Sequence, residues 1–302
     1  MPFPQVIQQR IENLIQNFSK QELVKISADL TASYKQKKWR LSKNEKVVYA
    51  LCRMPATYAV IERLIAHLNI QSLLDVGAGP GTGSFALQSL NPTATTHSIE
   101  HDADFISLGK TLQAPTTWQM GSYHQVSPKS SYDLVLFSYS LGESLQSDLK
   151  PFWEATSAYL LIIEPGTVHG YQTILKARDQ LIGLGAHIVA PCPHAHACPL
   201  VAPDWCHFGL KLQRSPLHRY VKLASLDFEE EKFSYLLVSK TPQPCHTRLL
   251  RPIQKRTGHI HVKLCTPSGL IQTTLTKKSP DYEAAKKAHW GDAWPFDIPH
   301  QA

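Results

Sequence analysis

The sequence has no run of about 18 or more apolar residues, so no membrane-spanning helix is expected. Its start, Met1-Pro2-Phe3-Pro4-Gln5, lacks a basic region leading into a long apolar stretch, which argues against a secretory signal. Glu12 and Glu22 come too early for an Arg-rich, acid-free transit peptide. There is no internal repeat and no low-complexity tract. Cysteine is scarce, six in 302 residues, and a cytoplasmic protein with reduced or ligating thiols is expected rather than a disulfide scaffold. Acid is scarce near the end. Residues 1–206 hold 16 Lys/Arg and 16 Asp/Glu, whereas residues 207–302 hold 15 and 8, so the whole net charge of +7 comes from the last third.

The 43% hydrophobic content supports a substantial core. Residues 5–68 read as helices, with Val6, Ile7, Ile11, Leu14 and Ile15, then Val60, Ile61, Leu64 and Leu68, at helical spacing. A break and restart falls at Met54-Pro55-Ala56-Thr57. Strands are expected at 71–76, 96–100, 132–138 and 159–166, with a helix at 168–184. Such alternation indicates a parallel, doubly wound α/β sheet. Further strands are expected at 207–212 and 232–239, then short alternating ones at 259–265 and 270–277 joined through Pro267-Ser268-Gly269. The division expected is an N-terminal helical region (1–68), a Rossmann-like cofactor domain (69–242) with a Cys-rich loop at 190–207, and a basic β extension (243–302).

Asp75-Val76-Gly77-Ala78-Gly79-Pro80-Gly81-Thr82-Gly83 lies between a strand and a helix. Glycines let a backbone turn tightly and approach a ligand, and a helix start favours ligand oxygens. The spacing is Gly-x-Gly-x-Gly-x-Gly rather than the dinucleotide fingerprint. Glu100 ends the next strand, where a carboxylate can accept ribose hydroxyls. The pattern resembles the S-adenosylmethionine (SAM) loop of class I methyltransferases. By that resemblance Asp75, Gly77, Gly79, Gly81 and Glu100 are cofactor-binding candidates. A purely structural turn is the competing reading. The Asn/Asp-Pro-Pro-Tyr/Phe motif of nucleic-acid amino-methyltransferases is absent: Ser138-Tyr139-Ser140-Leu141-Gly142-Glu143 stands in its place. Tyr139 and Glu143 as pocket residues compete there with Ser140 as a helix cap and Glu143 three residues on. No catalytic base is named.

Cys192, Cys198 and Cys206 form a Cys-x5-Cys-x7-Cys cluster. Thiolates this close suit zinc or an iron–sulfur cluster. Pro191-Cys192 also resembles the nucleophile of cytosine C5 methyltransferases, but Cys192 belongs to the cluster and ranks as a ligand first. Cys52 reads as core; Cys245 lies in a linker; Cys265 ends a strand and is the favoured fourth ligand, tying the extension to the cofactor domain. His194, His196 or His207 would serve a zinc site instead.

Two basic patches are compatible with RNA. One is Lys35, Lys37, Lys38, Arg40, Lys43 and Lys46, with Tyr34 and Trp39 interleaved; the other is Arg248, Arg251, Lys255, Arg256 and Lys263. An ordinary solvated face is the bland alternative for the first.

Several segments together resemble one family. They are Arg53-Met54-Pro55-Ala56-Thr57-Tyr58-Ala59, the glycine loop, Ser138 to Glu143, Glu164-Pro165-Gly166-Thr167 and the Cys loop. They continue in Glu230-Glu231-Lys232-Phe233-Ser234-Tyr235-Leu236, Arg251-Pro252 to Gly258-His259, and Trp290-Gly291-Asp292. This is similar to the methyltransferase-like family of the mitochondrial small ribosomal subunit and its bacterial relatives, over roughly residues 45–295. The resemblance implies a class I (Rossmann-like) methyltransferase fold, association with the small ribosomal subunit and its rRNA during assembly, and a [4Fe–4S] cluster held by four Cys. The expected protein is a SAM- and rRNA-binding methyltransferase-like factor, with the monomer favoured. A non-catalytic assembly factor and a zinc-stabilised small-molecule methyltransferase are the alternatives.

Overall fold

A computed structural model describes residues 3–294 except 37–39, 126–127, 129 and 144–147. The chain divides into two compact units: Met1–Ala155 with Leu210–Glu231, and Thr156–Gly209 with Lys232–Ala302. These cuts fall elsewhere than the sequence boundaries after 68 and 242, because compactness depends on long-range contacts that composition does not display.

Unit 1 begins with four helices, α1 (Gln5–Ile15), α2 (Lys20–Lys35), α3 (Lys43–Cys52) and α4 (Met54–Ile65). Ser19 with Glu22 and Ser42 with Glu45 form capping boxes that start α2 and α3. Pro55 lies in the first turn of α4, where its missing N–H costs nothing. Next come β1 (Ser72–Val76), α5 (Thr82–Leu90), β2 (Thr95–Glu100), α6 (Ala103–Thr111), β3 (Thr117–Met120), β4 (Tyr132–Ser138) and α7 (Lys150–Glu154). The strands lie in the order β3-β2-β1-β4, with all pairs parallel. Leu73, Leu74, Val76 and Leu134 to Phe137 are buried, as strands covered on both faces require. Strand β3 was not expected, since Thr117-Trp118-Gln119-Met120 has no apolar run to announce it.

Unit 2 contains β5 (Thr156–Pro165), α8 (Val168–Gly183) and β6 (His187–Ala190). The chain then runs through β7 (Phe208–Gln213), α9 (Pro216–Val221) and β8 (Phe228–Ser239). Within unit 2, β8 pairs antiparallel with both β5 and β6. The sheet expected to be parallel is therefore mixed. Strand β8 inserts between β5 and β6 and runs opposite to both, so the strand direction reverses there. The unit ends with β9 (Arg248–Leu249), β10 (Gln254–Arg256), β11 (His259–Thr266), β12 (Gly269–Thr276) and α10 (Tyr282–Lys287). Strands β9 to β12 form a second, antiparallel sheet in the order β10-β11-β12, with β9 also pairing β11. Its core is Leu249, Ile260, Val262, Leu264, Leu275, Tyr282 and Trp294. No described helix is long and apolar enough to cross a membrane.

Lys46 and Tyr49 of α3 and Arg53, the residue that caps its end, follow one another three and four residues apart. Lys46, expected at a basic surface, is instead buried and ion-paired to Asp102 at 2.7 Å and Asp104 at 3.2 Å. Tyr49 packs edge-on against Phe105, with centroids 5.5 Å apart. Of the other residues in that patch, Lys37, Lys38 and Trp39 lie outside the described residues, while Lys43 faces Asp104 at 3.6 Å. Lys46→Ala leaves Asp102 without its cation and Asp104 with only the exposed Lys43. Because Asp104 is 40% exposed, the expected loss is about 2 kcal/mol, below that of a fully buried pair, measured by urea unfolding.

Candidate functional site

In unit 1 the glycine loop leaves β1 at its carboxyl end, where ligands bind in open parallel sheets. The N–H groups of Gly77 and Ala78 donate to the Ile99 carbonyl at 2.9 and 3.2 Å, so the loop is anchored to β2. Gly77, Gly79 and Gly81 have φ of +69°, +54° and +87°, in the left-handed region that favours glycine. Their surroundings differ. A Cβ on Gly77 would lie 2.5 Å from the Ser140 Cβ, and one on Gly81 2.8 Å from the Ala114 Cβ. A Cβ on Gly79 would meet nothing within 4 Å, so this glycine edges open space.

Both predicted acids are buried at this loop, Asp75 at 1% exposure and Glu100 at 4%. Glu100 Oε2 accepts the Gly79 N–H at 2.8 Å, and Oε1 accepts those of His101 and Asp102 at 2.8 and 2.9 Å. A carboxylate has about four acceptor directions, so one side of Oε2 remains available for a ligand hydroxyl. Asp75 Oδ2 accepts the Gly83 N–H at 3.2 Å and holds the first turn of α5. Burial pushes the Asp75 carboxyl up to about 7, opposed by the Gly83 hydrogen bond and reinforced by the Glu100 charge. Glu100 is therefore placed to orient a polyhydroxylated ligand, and Asp75 to set the loop from behind.

At the carboxyl end of β4, Ser140 donates its hydroxyl to the Val76 carbonyl at 2.7 Å, in addition to its contact with Gly77. Tyr139 has φ +58°, unusual for a residue with a Cβ. Its hydroxyl donates to Glu231 at 3.1 Å, and Arg53 approaches the same carboxylate at 3.4 Å. Burial pushes the Tyr139 phenol well above its ordinary range, and the Glu231 charge adds to that. Glu143 ends a single 3-10 turn, Leu141–Glu143, and its side chain lies outside the described residues. The Arg53–Glu231–Tyr139 group escaped the sequence reading. Each residue stood in a segment carrying the family resemblance, but 178 positions separate Arg53 from Glu231 and no local spacing connects them.

In unit 2, Cys192, Cys198, Cys206 and Cys265 line one cavity, with Tyr171, Arg178, His194 and Leu250 among its other walls. The three loop thiols and the strand thiol thus converge. Cys245 does not: it is exposed, and its thiol donates to the Ile188 carbonyl at 3.2 Å. Cys52 is buried in unit 1 with its thiol pushed up to about 12 by burial, as a core cysteine should be. All six cysteines are free thiols.

The pocket is held from several sides. Arg178, 2% exposed, reaches from α8 to donate to the His194 and His196 carbonyls at 2.9 and 2.6 Å. Ser234 on β8 donates to the Cys206 carbonyl at 2.8 Å. Arg248, 9% exposed, donates to the Pro191 and Gly291 carbonyls at 3.2 and 3.1 Å. Arg251 and Lys263 both pair with Asp204. Arg248, Arg251 and Lys263 were expected to contact RNA; they are committed inside the protein because buried carbonyls and Asp204 need donors there. Tyr171 donates to the Cys198 sulfur at 3.2 Å, and the His194 Nε2 lies 3.9 Å from the Cys265 sulfur.

Burial raises Cys206 well above its ordinary range, followed by the charges that Cys192, Cys198 and Cys265 would carry. Cys265 is pushed up to about 12 by burial and by Cys192 and Cys198. Cys192 is likewise raised by burial, which argues against a nucleophilic thiolate there. Four thiols that repel one another as anions form a donor set that only a cationic centre would stabilise as thiolates. Among the described residues, no group of three or more His, Cys, Asp or Glu is drawn together as a metal-ion site.

Residues 43–295 match the family model described as mitochondrial small ribosomal subunit Rsm22. The chain is 26% identical to Rsm22-cox11 tandem protein 2, mitochondrial, of Schizosaccharomyces pombe, over 95% of this chain and 48% of that protein. It is also 26% identical to the human ribosome assembly protein METTL17, mitochondrial, over 84% of this chain and 63% of that protein. The chain thus spans about half to three-fifths of the length of these relatives. Similar solved structures include a SAM-dependent methyltransferase from Aquifex aeolicus, at 10% identity and TM-score 0.43 over 67% of this chain and 100% of that one. Another is the precorrin-6y C5,15-methyltransferase of Geobacter metallireducens, at 14% identity and TM-score 0.42 over 63% and 89%.

Two outcomes are expected for the glycine loop. Gly77→Ala should cost about 3 kcal/mol or more, from overlap with Ser140 added to the left-handed backbone, whereas Gly79→Ala should cost only about 1–2 kcal/mol of backbone strain, both read by urea unfolding. The raised Asp75 carboxyl makes the folded state hold a proton that the unfolded chain releases near pH 4. Its contribution to stability therefore falls as pH rises from about 4 to about 7, and is level above. Asp75→Asn removes that dependence, so the melting temperature of the variant minus that of the parent should climb across this window. A difference independent of pH would contradict the assignment.

Proposed function

Because the chain belongs to the family of the mitochondrial small ribosomal subunit protein Rsm22, we propose that it is a methyltransferase-like factor of small-subunit assembly, binding SAM in unit 1 and a [4Fe–4S] cluster in unit 2, and contacting rRNA. One observation carries the reading: four thiols from two distant stretches converge on one pocket, in a chain whose other unit carries a glycine cradle backed by two buried acids.

The parallel order β3-β2-β1-β4, with the loop at the carboxyl end of β1, supports a class I methyltransferase fold. In this reading Glu100 accepts the ribose hydroxyls, Gly79 admits the ligand closely, and Gly77 and Gly81 shape the turn with Asp75 behind them. When bound, SAM supplies an electrophilic methyl group. The chain contributes binding and orientation. In unit 2, Cys192, Cys198, Cys206 and Cys265 would hold the cluster, each thiolate on its own iron. The reading places the protein in a reducing compartment such as the cytoplasm, where free thiols remain available.

The non-catalytic alternative has an observation of its own. The residue after β4 is Tyr139, and its hydroxyl is engaged by Glu231, so the usual amino-positioning motif is replaced by an internal hydrogen bond. An rRNA position whose methylation disappears on deletion and returns with purified protein would overturn that alternative.

Anaerobically purified protein should be brown, contain iron and acid-labile sulfide, and bind SAM in a calorimetric titration. Cys265→Ser should lose most of the iron while Cys245→Ser keeps it. Equal iron in the two variants would remove Cys265 from the ligand set. No SAM binding by the cluster-loaded protein would remove the cofactor assignment, and Glu100→Gln should weaken that binding on the order of tenfold.

A further inference from the structure

From Lys232 through Pro280 the chain carries nine Lys/Arg and no Asp or Glu. Seven of these cations, all but Lys232 and Lys240, fall into two groups. Arg248, Arg251 and Lys263 are spent inside unit 2, on carbonyls and on Asp204. Lys255, Arg256, Lys277 and Lys278 are exposed, and no described carboxylate pairs with them.

These four gather at one end of the second sheet. Arg256 is opposite His259, and His259 is opposite Thr276, so the three form one row across β10, β11 and β12. The Lys277 N–H donates to the Gly258 carbonyl, which sets Lys277 and Lys278 beside the β10–β11 turn. The next row on the same face is Gln254, His261 and Thr274, while the row between them, Lys255, Ile260 and Leu275, belongs to the other face, so Lys255 joins the cluster at the sheet end rather than on this face. This face carries no carboxylate and no Phe, Tyr or Trp between 254 and 278. The first acids beyond it are Asp281 and Glu283, the latter 3.7 Å from Lys286. At the opposite end of β11 stands Cys265, six residues from His259 and so about 20 Å away at about 3.3–3.4 Å per residue.

We infer that this cationic end of the β10-β11-β12 sheet is the surface that grips the RNA sugar–phosphate backbone. The inference rests on the rRNA-associated reading above and deepens it. Unpaired cations without neighbouring acids match a polyanion. Polar side chains are present on this face in Gln254 and Thr276, but a stacking platform of large aromatics is missing between 254 and 278, and sequence-specific readers of single-stranded RNA depend on one. The contact is therefore to phosphates, positions the protein, and carries little sequence information. The cysteine pocket sits at the far end of the same strand and anchors it, without touching the RNA through this face.

The test uses the full-length, cluster-loaded protein and the variant Lys255→Gln/Arg256→Gln/Lys277→Gln/Lys278→Gln. Fluorescence anisotropy is measured with a small-subunit rRNA hairpin, a hairpin of scrambled sequence, and vesicles of anionic phospholipid, over a range of salt. The variant should lose affinity for both hairpins equally, on the order of tenfold or more at low salt. Its slope of log affinity against log salt should be shallower by about 3, near 0.7–0.9 for each phosphate contact removed. Iron content and SAM binding should not change. Parent-like affinity and slope in the variant would overturn the inference while leaving the rRNA reading intact. A loss confined to the rRNA hairpin would also overturn it, since that is base readout. Tighter binding to vesicles than to either hairpin would reassign the surface to a membrane, and failure of the parent itself to bind RNA would sink the rRNA reading as well.

Discussion

Four sulfurs lining one cavity cannot all be anions unless a positive centre lies among them. That electrostatic constraint organises unit 2. Burial and the neighbouring thiols raise Cys206 and Cys265 above the ordinary thiol range, and the surrounding cations are turned elsewhere. Arg178 and Arg248 point their donors at backbone carbonyls of the Cys-rich loop, and Arg251 with Lys263 neutralises Asp204. The loop shape is thus defined by donors to its carbonyls, and the sulfurs are left facing the cavity. A site arranged this way offers its ligands without itself supplying their charge.

Unit 1 solves a related problem differently. Its two buried acids are matched to backbone N–H groups, three to Glu100 and one to Asp75. The Glu100 carboxylate accordingly does two jobs, fixing the glycine loop against the end of β2 and keeping an acceptor direction open. Helix α3 adds side chains to this neighbourhood, with Lys46 reaching the segment after β2 and Arg53 reaching Glu231.

The features readable from sequence were those encoded locally. The glycine loop declared itself because left-handed backbone at three nearby positions leaves little choice of residue. The strands 132–138 and 259–266 showed as apolar or alternating runs. The place of Cys265 at a strand end, against Cys245 in a linker, is likewise local, and the cavity wall includes Cys265 and not Cys245. What stayed hidden was encoded by tertiary contact. Lys46 and Arg248 read as surface cations because charge alone says nothing about a waiting partner. The antiparallel pairing of β8 was obscured since an apolar strand buried on both faces looks the same in either direction. The Arg53–Glu231–Tyr139 group joins three distant segments, and no spacing rule connects them.

Unit 1 is discontinuous: its first stretch ends at Ala155 and its second runs from Leu210 to Glu231. During synthesis from the N-terminus, the glycine loop, both acids and Arg53 are all made before the carboxylate that completes the Arg53–Tyr139 group. Some 178 residues intervene between Arg53 and Glu231. The loop closure this demands is large, and such non-local contacts form late. The nascent chain therefore passes through a stage with the cradle strands in place and the guanidinium of Arg53 still unmatched, so the final assembly of this unit is tied to emergence of β8 and not to completion of the parallel strands.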